Sequence, residues 1–418
     1  MMPQSLAIIS NVFPPEKRGA AMGIWGSIVA VGAVLGPIIG GLIVTHYAWE
    51  WVFLINLPVG IVAIFATLAI VPESTDPLAS RSIDWGGILL SGIGIFSIVY
   101  ALIEGNSHGW TSPLIIGMLV GGFALLAAFV WWERRVPDPM MKIELFKLRN
   151  FWVGNVISLV VAFGMFGIFF PITIFLQSVL GFTPIRAGLS MIPMSLTILM
   201  VAPLAGRLSD RIGARWIIVT GMSLMTTGIL LIIARSNLDT TVWTLAPALA
   251  VCGAGMGMTF APMTAAAMRE VPPRISGSAS GIINTTRNIG QVLGIAIMGT
   301  LLQNRLNAHA ADQLANLPLA PDVRANISHL LAASRFEDIP NALPPAQADL
   351  LPQVFLAVQQ AFVDSLHNVF FVAALACLVG VACALMLRNV VVPVTPANRS
   401  HDLPAKEAAQ RELARVAD

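Results

Sequence analysis

The uncharged stretch Asn150–Ile185 decides the fold class of this chain, and its sequence is NFWVGNVISLVVAFGMFGIFFPITIFLQSVLGFTPI. About 18 or more residues with few charges are enough for an α-helix to cross the roughly 30 Å hydrocarbon core of a bilayer. This stretch is longer than that and contains no Asp, Glu, Lys or Arg. Its glycines and proline are tolerated in a membrane helix because neighbouring helices and polar side chains satisfy the freed backbone groups. The stretch therefore predicts a transmembrane helix.

Stretches of the same kind recur on both sides of it. Eight more runs have no charged residue, and a tenth, Ile275–Asn304, is interrupted only by Arg287. Met1–Pro15 is also apolar, but it makes only about 22 Å of helix, so we interpret it as the end of a partial span. The pattern predicts an all-α membrane protein with about ten full transmembrane helices and a partial one at the N-terminus. The eight other runs are Gly19–Trp49, Trp51–Pro72, Trp85–Ile103, Gly105–Trp132, Ala187–Gly206, Trp216–Ala234, Thr240–Met268 and Ser365–Leu387.

The composition of the chain excludes several classes of protein. Of the 418 residues, 56% are hydrophobic and 11% are charged, whereas an ordinary soluble domain has roughly a quarter charged residues. This deficit excludes a water-soluble enzyme and a disordered protein, and the net charge of +2 offers no basic face for nucleic acid. The three cysteines lie in apolar stretches, and no phosphate-binding loop or hydrolase motif is present. We therefore predict no catalytic residue, no metal site and no cofactor.

Basic residues fall unevenly on the two sides of the predicted spans. If the spans alternate in direction, 18 Lys and Arg residues lie on one side and 5 on the other. Since Lys and Arg near span ends are retained in the cytoplasm, this asymmetry predicts a cytoplasmic C-terminus. The longest loop, about Leu306–Asp364, then lies outside, and Val323–Ala333 and Gln347–Phe362 within it have helical apolar spacing. We expect a solvated connector, with a ligand lid or a partner-docking element as the alternatives.

An internal repeat relates two distant parts of the chain. A shift of 258 residues aligns Pro14–Gly41 with Pro272–Gly299, and many of the matched positions are glycine or proline. Backbone geometry sets these residue types, so chance is a poor explanation. Such parallel repeats occur in transporters built from two similar halves. The offset places the counterparts of about three and a half spans before Met1 and two additional spans between the halves. It therefore predicts a parent protein of about fourteen spans.

The first copy of the repeat contains a glycine-rich motif, GAVLGPIIGG. Gly32, Gly36 and Gly40 are four residues apart and share one helix face, and Pro37 and Gly41 accompany them. Small residues at this spacing let a second helix backbone approach closely. Proline removes a backbone donor and favours a kink. We interpret the motif as a special packing surface, and ordinary helix packing is the alternative.

A second motif, GRLSDRIGAR, lies between two predicted spans. Gly206 and Gly213 permit a tight turn, and Asp210 can lie near the N-terminus of the next helix, where a negative charge is favoured. Arg211 and Arg215 can pair with Asp210 or with neighbouring segments. The ordered spacing favours a structured connection over a loop that is merely positively charged.

A third group of residues places polar side chains inside a span. They occupy positions i, i+3, i+4 and i+7 of one helix and so share a face, with Arg287 about 15 Å from the start of the helix. A charge at this depth normally faces protein or a watery cavity. We predict that this face lines a translocation pathway, and a structural polar contact is the alternative. The four residues are Asn284, Arg287, Asn288 and Gln291.

At these motifs the chain resembles the major facilitator superfamily, specifically its fourteen-span drug:proton antiporters of the EmrB/QacA type. Gly32–Gly41 matches the antiporter motif of that family, and Gly206–Arg215 is similar to its cytoplasmic Gly-x-Leu-x-Asp-Arg-x-Gly signature. Phe53–Pro58 and Thr286–Gly290 are further similar stretches. The resemblance covers nearly the whole chain. It implies a major-facilitator-type helical bundle and a multidrug efflux antiporter in the cell inner membrane.

The resemblance also implies how the chain is divided. Residues 1–72 would be the remnant of a first half, with the end of span 4 and spans 5 and 6. Residues 73–149 would be two inserted linker spans, 7 and 8. Residues 150–387 would be the second half, with spans 9 to 14 and the outer loop 306–364, and residues 388–418 a cytoplasmic tail. The acidic motif of the family's first helix would precede Met1, and we expect the proton-coupling acid there.

The favoured hypothesis is proton-coupled efflux of amphipathic drugs, cationic or neutral, by alternating access. The glycine motif would pack closely against another helix and so prevent leakage. Gly206–Arg215 would bias the cytoplasmic gate, and the face around Arg287 would line the pathway. The implied partners are the lipid bilayer, a small-molecule substrate, protons and a periplasmic adaptor protein, and we expect no nucleic acid. The alternative is a non-transporting fragment or membrane interaction subunit that needs a separate N-terminal piece. A channel is a weaker third hypothesis.

Overall fold

Every uncharged run in the sequence forms a helix. The computed structural model describes residues 5, 8–9, 13, 18–70, 84–137, 139–272, 275–332 and 338–388, and these residues include no strand. The expected partial span Met1–Pro15 and the tail 389–418 lie almost wholly outside the described residues. The helices are α1 Arg18–His46, α2 Trp51–Ile70, α3 Trp85–His108, α4 Pro113–Glu133, α5 Arg149–Ile174, α6 Pro184–Ser190, α7 Ile192–Ile212, α8 Ala214–Arg235, α9 Val242–Met268, α10 Ser276–Ala315, α11 Pro321–Ala332, α12 Ile339–Ala342 and α13 Leu351–Leu385.

Eight helical segments of the described residues are long and apolar enough to cross a membrane. They comprise α2, α3, α4, α5 with its continuation to Val179, α6 with α7, α8, α9 and α13. The two remaining predicted spans form α1 and α10, which have 29 and 40 residues. The prediction of an all-α membrane bundle is therefore confirmed.

The core of the bundle is built by α5 and by the helices that follow it. Phe151, Phe175, Phe362 and Phe370 are fully buried there, and Phe175 of the turn after α5 stacks on Phe362 of α13 with ring centroids 6.5 Å apart. α5 packs against α10 and α13, and α9 packs against α7 and α8. By contrast, α2 has no buried residue, and its apolar side chains face outward. Apolar side chains on the outer surface are what a bilayer solvent requires.

Two glycines of α10 let it lie directly on α5. A Cβ atom on Gly294 would lie 2.5 Å from the carbonyl oxygen of Phe163 and 3.1 Å from its Cα atom. Gly290, one turn earlier, meets the backbone of Leu159 in the same way. Close approach of backbones at small residues four apart is a common mode of helix packing in membranes. In the second copy of the repeat, glycine is therefore required by packing.

Contacts at the helix ends show that α5 runs opposite to α9 and α13, as alternating spans require. At one end, Arg149 Nε donates a hydrogen bond to the carbonyl of Met386 at 2.8 Å, and Asn150 Nδ2 donates to Glu270 Oε1 at 3.2 Å. This end therefore holds the start of α5 and the ends of α9 and α13. At the other end, Gln359 Nε2 donates to the carbonyl of Val179 at 2.8 Å. The start of α13 thus lies beside the end of the α5 segment. The cytoplasmic orientation inferred from basic residues stays a prediction.

The outer segment between α10 and α13 is not a solvated connector, and that expectation was wrong. α10 continues to Ala315, α11 occupies Pro321–Ala332, and α13 begins at Leu351, so the second surface helix expected at Gln347–Phe362 is largely the first part of α13. The segment is folded because its apolar side chains complete one core with the helices below. Buried members of that cap are Leu314, Leu319, Val323, Ile327, Leu331, Ile339 and Leu343.

The cap is expected to be lost when a charge is placed inside it. Ile327 is fully buried, and an unpaired carboxylate there has no compensating partner, so the Ile327→Asp variant should open the cap. Limited proteolysis of the purified protein should then cut between residues 316 and 350 at least about tenfold faster than in the wild type. The neighbouring Asn326 is exposed, and Asn326→Asp serves as the control that keeps the wild-type rate. Equal cleavage of the two variants would contradict a packed cap.

The helices α3 and α4 form a hairpin beside the bundle. They pack mainly against each other, and α3 also contacts α10, where Thr300 Oγ1 donates to the carbonyl of Leu102 at 3.3 Å. Asp84 caps the start of α3 by accepting a hydrogen bond from the Gly87 amide at 2.8 Å. Ser112 caps α4 in the same way through the amide of Ile115. These caps satisfy amides that the first turn of a helix leaves without partners.

Candidate functional site

A cavity of about 320 Å³ lies among five helices. α1, α5, α7, α9 and α10 all contribute to its wall. Three of the four residues predicted to line a pathway do line this cavity, namely Arg287, Asn288 and Gln291. The fourth, Asn284, lies one turn away and accepts a hydrogen bond from Arg287 Nη2. The structure therefore brings the polar face of α10 together around one space.

Among the described residues that line this cavity, Arg287 is the only one with a charged side chain. It is 6% exposed, and its guanidinium carbon lies 5.4 Å from the ring centroid of Phe260. Attraction between a cation and an aromatic face is strongest where water is excluded, as it is here. The hydrogen bond to Asn284 and the ring of Phe260 hold the guanidinium against the wall of the cavity. The group can therefore present donors to a ligand without a large rearrangement.

Apart from Ser195, the rest of the wall is apolar, and the sequence alone did not mark its aromatic residues as lining a pathway. It is made largely of aromatic and thioether side chains, which give a ligand contact area without fixing its shape. No local pattern distinguishes these residues from other apolar residues, because only the tertiary packing turns them inward. They are Trp25, Met165, Phe166, Phe169, Met194, Ile198, Ala202, Met256, Phe260 and Ala261.

Close packing of α1 on α7 closes one side of the cavity. A Cβ atom on Gly23 would lie 2.8 Å from the carbonyl oxygen of Ala202 and 2.9 Å from the Cα atom of Pro203. Beside this contact, Met22 is 1% exposed and packs with Ala261 of α9. Gly23 was not singled out from the sequence, although it lies in the repeat. Its role could have been found only by knowing which helix faces α1.

The glycine motif in α1 lies on a different part of that helix. Within the described part of the chain, no neighbouring heavy atom comes within 4 Å of a Cβ placed on Gly32, Gly36 or Gly40. Gly41 meets the Ile185 side chain at 3.3 Å, and Pro37 lies inside the helix. Gly32 and Gly36 are the repeat counterparts of Gly290 and Gly294, which do meet a backbone. Close packing at Gly32 and Gly36 stays a prediction.

Only one residue of the second motif lies in the turn that was expected there. α7 runs on to Ile212, so Gly206, Asp210 and Arg211 belong to that helix, and the connection between the spans is shorter than the motif. Its residues are compatible with helix, and a polar helix end can project beyond the bilayer. Gly213, with a φ of 89°, makes the break before α8. A positive φ of this kind is strongly unfavourable for residues with a Cβ.

The charged residues of the motif lie at the end of α7 and at the start of α8. Arg211 is exposed, and Asp210 is in the last turn of α7, a few residues before the start of α8. Arg215 places its guanidinium carbon 5.1 Å from the ring centroid of Trp216. Cation–aromatic contact of this kind anchors the first turn of α8. The role of the motif as a gate stays a prediction.

A second cavity of about 410 Å³ lies along α5 and α10, between the first cavity and the cap. Phe170 of α5 follows directly after Phe169 of the first cavity, and Ile295 of α10 is one turn beyond Gln291. Leu331 of the cap and Ile103 of α3 line its other sides. The two cavities thus follow the groove between α5 and α10. The hairpin α3–α4 contributes to the wall of the second cavity.

The site offers binding groups and no obvious chemistry for a reaction. No cluster of three or more His, Cys, Asp or Glu side chains in the described residues could hold a metal ion. The first cavity contains donors, aromatic rings and sulfur atoms, and its lining residues include no nucleophile paired with a base. Such a set of side chains can bind and orient an amphipathic molecule.

Comparison with protein families decides the family of the chain. The family model described as Major Facilitator Superfamily matches residues 1–85 and 80–295. The chain belongs to this superfamily. Its membership confirms the superfamily that the sequence motifs indicated, and it makes this major facilitator chain a multi-pass membrane protein of a transporter family and not an enzyme.

Similar proteins cover most of this major facilitator chain. The "Multidrug resistance protein Stp" of Mycobacterium tuberculosis is 38% identical over 73% of the chain and 56% of its own length. The "Tetracenomycin C resistance and export protein" of Streptomyces glaucescens is 31% identical over 98% of the chain and 76% of its own length. The "Riboflavin transporter RibZ" of Clostridioides difficile is 31% identical over 80% of the chain and 71% of its own length. The chain thus spans little more than half the length of the first of these relatives.

Proposed function

We propose that this chain forms the second half, and part of the first half, of an exporter that moves amphipathic drugs across the cytoplasmic membrane by alternating access. The observation that carries the proposal is the cavity around Arg287, which is lined by five helices. Transporters with two similar halves bind their substrate near the bilayer midplane between the halves. Here α1 comes from the first repeat and the other four helices from the second half. The names of two relatives, for multidrug resistance and for resistance and export, support export as the direction.

The electrostatics of the cavity favour neutral and anionic substrates over cations. Among the described residues that line it, the one formal charge is the positive charge of Arg287, and these residues include no carboxylate. A cation would be repelled in a setting where little water screens the interaction. Aromatic rings and amide groups suit a flat molecule with several oxygen atoms. Riboflavin, which one relative is named for transporting, is an uncharged molecule of this kind.

Proton coupling and a longer first half belong to the same proposal. In α10, Gly290 and Gly294 are covered by α5, whereas their counterparts Gly32 and Gly36 meet no neighbour among the described residues. A first-half counterpart of α5 would cover them and could supply the proton-coupling acid. On this proposal, the turn at Gly213 would act in the cytoplasmic gate, the bundle would lie in the inner membrane with its C-terminus inside, and a periplasmic adaptor would be an external partner.

Binding of riboflavin to the purified chain in lipid nanodiscs tests the site. Trp25 lines the cavity, so bound riboflavin should quench its fluorescence saturably. The Trp25→Phe variant should lose most of this quenching while Trp243→Phe, which removes a tryptophan that is 82% exposed, should keep it. The cation ethidium should compete at least about tenfold more weakly than riboflavin. Quenching that is absent in the wild type, or that persists in Trp25→Phe, would overturn the assignment of the site.

The alternative is a membrane interaction subunit that does not transport by itself. Its supporting observation is the outward apolar surface of α2, which has no buried residue. Riboflavin movement into inverted vesicles distinguishes the two functions when the vesicles contain this chain extended by the further first-half spans that the proposal requires. Movement that requires an imposed proton gradient supports the antiporter. Movement that continues after the gradient is collapsed contradicts proton coupling, and no movement favours the subunit.

A further inference from the structure

Two carboxyl groups meet where the hairpin α3–α4 joins the rest of the chain. Asp84 precedes α3, and Glu133 is the last residue of α4 and is only 4% exposed. A Cβ atom on Gly87 would lie 2.6 Å from Asp84 Oδ2 and 2.7 Å from Glu133 Oε1. The two oxygens therefore approach the same point above Gly87. Glycine leaves the space in which the two side chains can meet.

The other oxygen of each carboxyl group is held by hydrogen bonds. Asp84 Oδ1 accepts from the amide of Gly87 at 2.8 Å and from Trp132 Nε1 at 2.9 Å. Glu133 Oε2 accepts from the amide of Met141 at 3.0 Å. These bonds fix both side chains. Asp84 Oδ2 and Glu133 Oε1, the inner oxygens, therefore cannot turn away from each other unless the hydrogen bonds break. Hydrogen bonds from neighbouring groups therefore hold the two carboxyl groups in contact.

The inner oxygens receive no hydrogen bond from an N–H or hydroxyl group. Asp84 Oδ2 and Glu133 Oε1 are both buried from solvent, and within the described part of the chain their hydrogen-bonding neighbour is the other carboxyl group. Two ionised carboxylates in contact repel each other, and both are hydrogen-bond acceptors only. A hydrogen bond between them requires that one of the two is protonated.

The hydrogen-bond donors decide which acid carries the proton. Burial alone would raise the pKa of Asp84, but hydrogen bonds from the Gly87 amide, the Trp132 ring and the Met140 amide lower that pKa below its ordinary value. Asp84 is therefore the ionised partner. Glu133 has fewer donors and more burial, so it is the partner that donates.

We propose that Asp84 and Glu133 share one bound proton at neutral pH, and that this proton clamps α3, α4 and the segment 139–147 together. A cavity of about 730 Å³ extends along that segment and reaches Glu133, so a proton can be exchanged with water. Among the described residues, the other charged side chains that line it are Arg134, Lys142, Glu144 and Lys147. Arg135 is directed away, with its guanidinium carbon 4.0 Å from the ring centroid of Trp131.

The clamp is connected to the core of the bundle. Ser278 of α10 donates a hydrogen bond to the carbonyl of Met140 at 3.3 Å. Leu145 of the same segment is 3% exposed and belongs to a small core with Ala279, Ile282 and Ile283 of α10. Loss of the proton would place two negative charges in contact and would loosen this connection between the hairpin and α10. The site is independent of the proposed substrate cavity, and either can fail without the other.

Infrared spectroscopy of the full chain in lipid tests for the proton directly. At pH 7 the wild type should show a protonated carboxyl C=O band that shifts in heavy water. Glu133→Gln should abolish the band, and Asp84→Asn should also abolish it, because Glu133 ionises when no neighbouring charge opposes it. The control, Glu104→Gln, removes an exposed acid of α3 that contacts Ser107 and His108 and should leave the band unchanged. Absence of the band in the wild type, or its survival in Asp84→Asn, would overturn the shared proton.

Hydrogen exchange then tests the mechanical consequence. Between pH 7 and pH 9, the exchange rate of the amides in 139–147, corrected for intrinsic rates, should rise about tenfold in the wild type. A tenfold rise corresponds to a difference of about one unit between the pKa of the acid pair in the closed segment and its pKa in the opened segment. Glu133→Gln should show no such rise, because its amide can donate to Asp84 without a proton. A rise of equal size in Glu133→Gln would contradict the clamp.

Discussion

The Arg287→Met variant is expected to bind riboflavin about ten- to hundredfold more weakly than the wild type. A hydrogen bond to a charged group contributes about 1.5–3 kcal/mol, and about 1.4 kcal/mol corresponds to a tenfold change in Kd. Arg287 is the one charged residue that lines the cavity, and methionine keeps a long side chain while removing the charge and its donors. Titration of tryptophan quenching in nanodiscs measures the change.

A matched substitution separates this effect from general damage to the bundle. Arg186 also lies over an aromatic ring, with its guanidinium carbon 4.1 Å from the centroid of Phe182, but it does not line the cavity. Arg186→Met should therefore keep the wild-type Kd. Arg287→Met should also keep or raise the thermal midpoint, since replacing a buried charge by an apolar side chain is often neutral or stabilising. Equal affinities for Arg287→Met and the wild type would contradict the role of Arg287 in binding.

The Gly294→Leu variant is expected to prevent stable packing of α10 on α5. A Cβ atom there meets the backbone of Phe163 at 2.5 Å, and the nitrogen of Gly167 is 3.2 Å away. Overpacking of a core typically costs about 1–3 kcal/mol, and a clash with backbone leaves less room for relaxation than a clash with a flexible side chain. The fraction of monodisperse protein that survives heating in detergent should fall sharply.

Gly281 provides the control on the same helix. No heavy atom of the described residues lies within 4 Å of a Cβ placed on Gly281, so Gly281→Leu should retain the wild-type melting behaviour. If both leucine variants melt alike, close contact between α5 and α10 does not stabilise the protein. If only Gly294→Leu is unstable, the packing predicted from the repeat is verified in its second copy.

Much of the fold was predictable because a bilayer places a simple demand on a chain. Each span must be long and largely uncharged, and these two properties can be counted along a sequence. The exceptions have a physical reason. The segment between α10 and α13 is polar enough to suggest a loop, but it is folded because its apolar side chains join one core, to which Ile327 and Val354 both belong. Contacts of this kind join residues that are distant in sequence.

The candidate site was only partly predictable. Arg287, Asn288 and Gln291 could be identified because polar residues are costly within a span and are seldom present without a role. Trp25 and Phe260 could not, because an apolar residue of a membrane helix has the same composition signal whether it faces lipid, a neighbouring helix or a cavity. Asp84 and Glu133 are far apart along the chain, and only the pairing of α3 with α4 brings their carboxyl groups together.

The sequence by itself determined the solvent of this protein, its helical class, its repeat and its polar helix face, because charge and glycine spacing are local properties of a chain. The tertiary structure decided which side chains surround the cavity, which glycines are covered and which acids touch. Those outcomes depend on the direction in which each helix face points, and that direction is set by the packing of all the helices together.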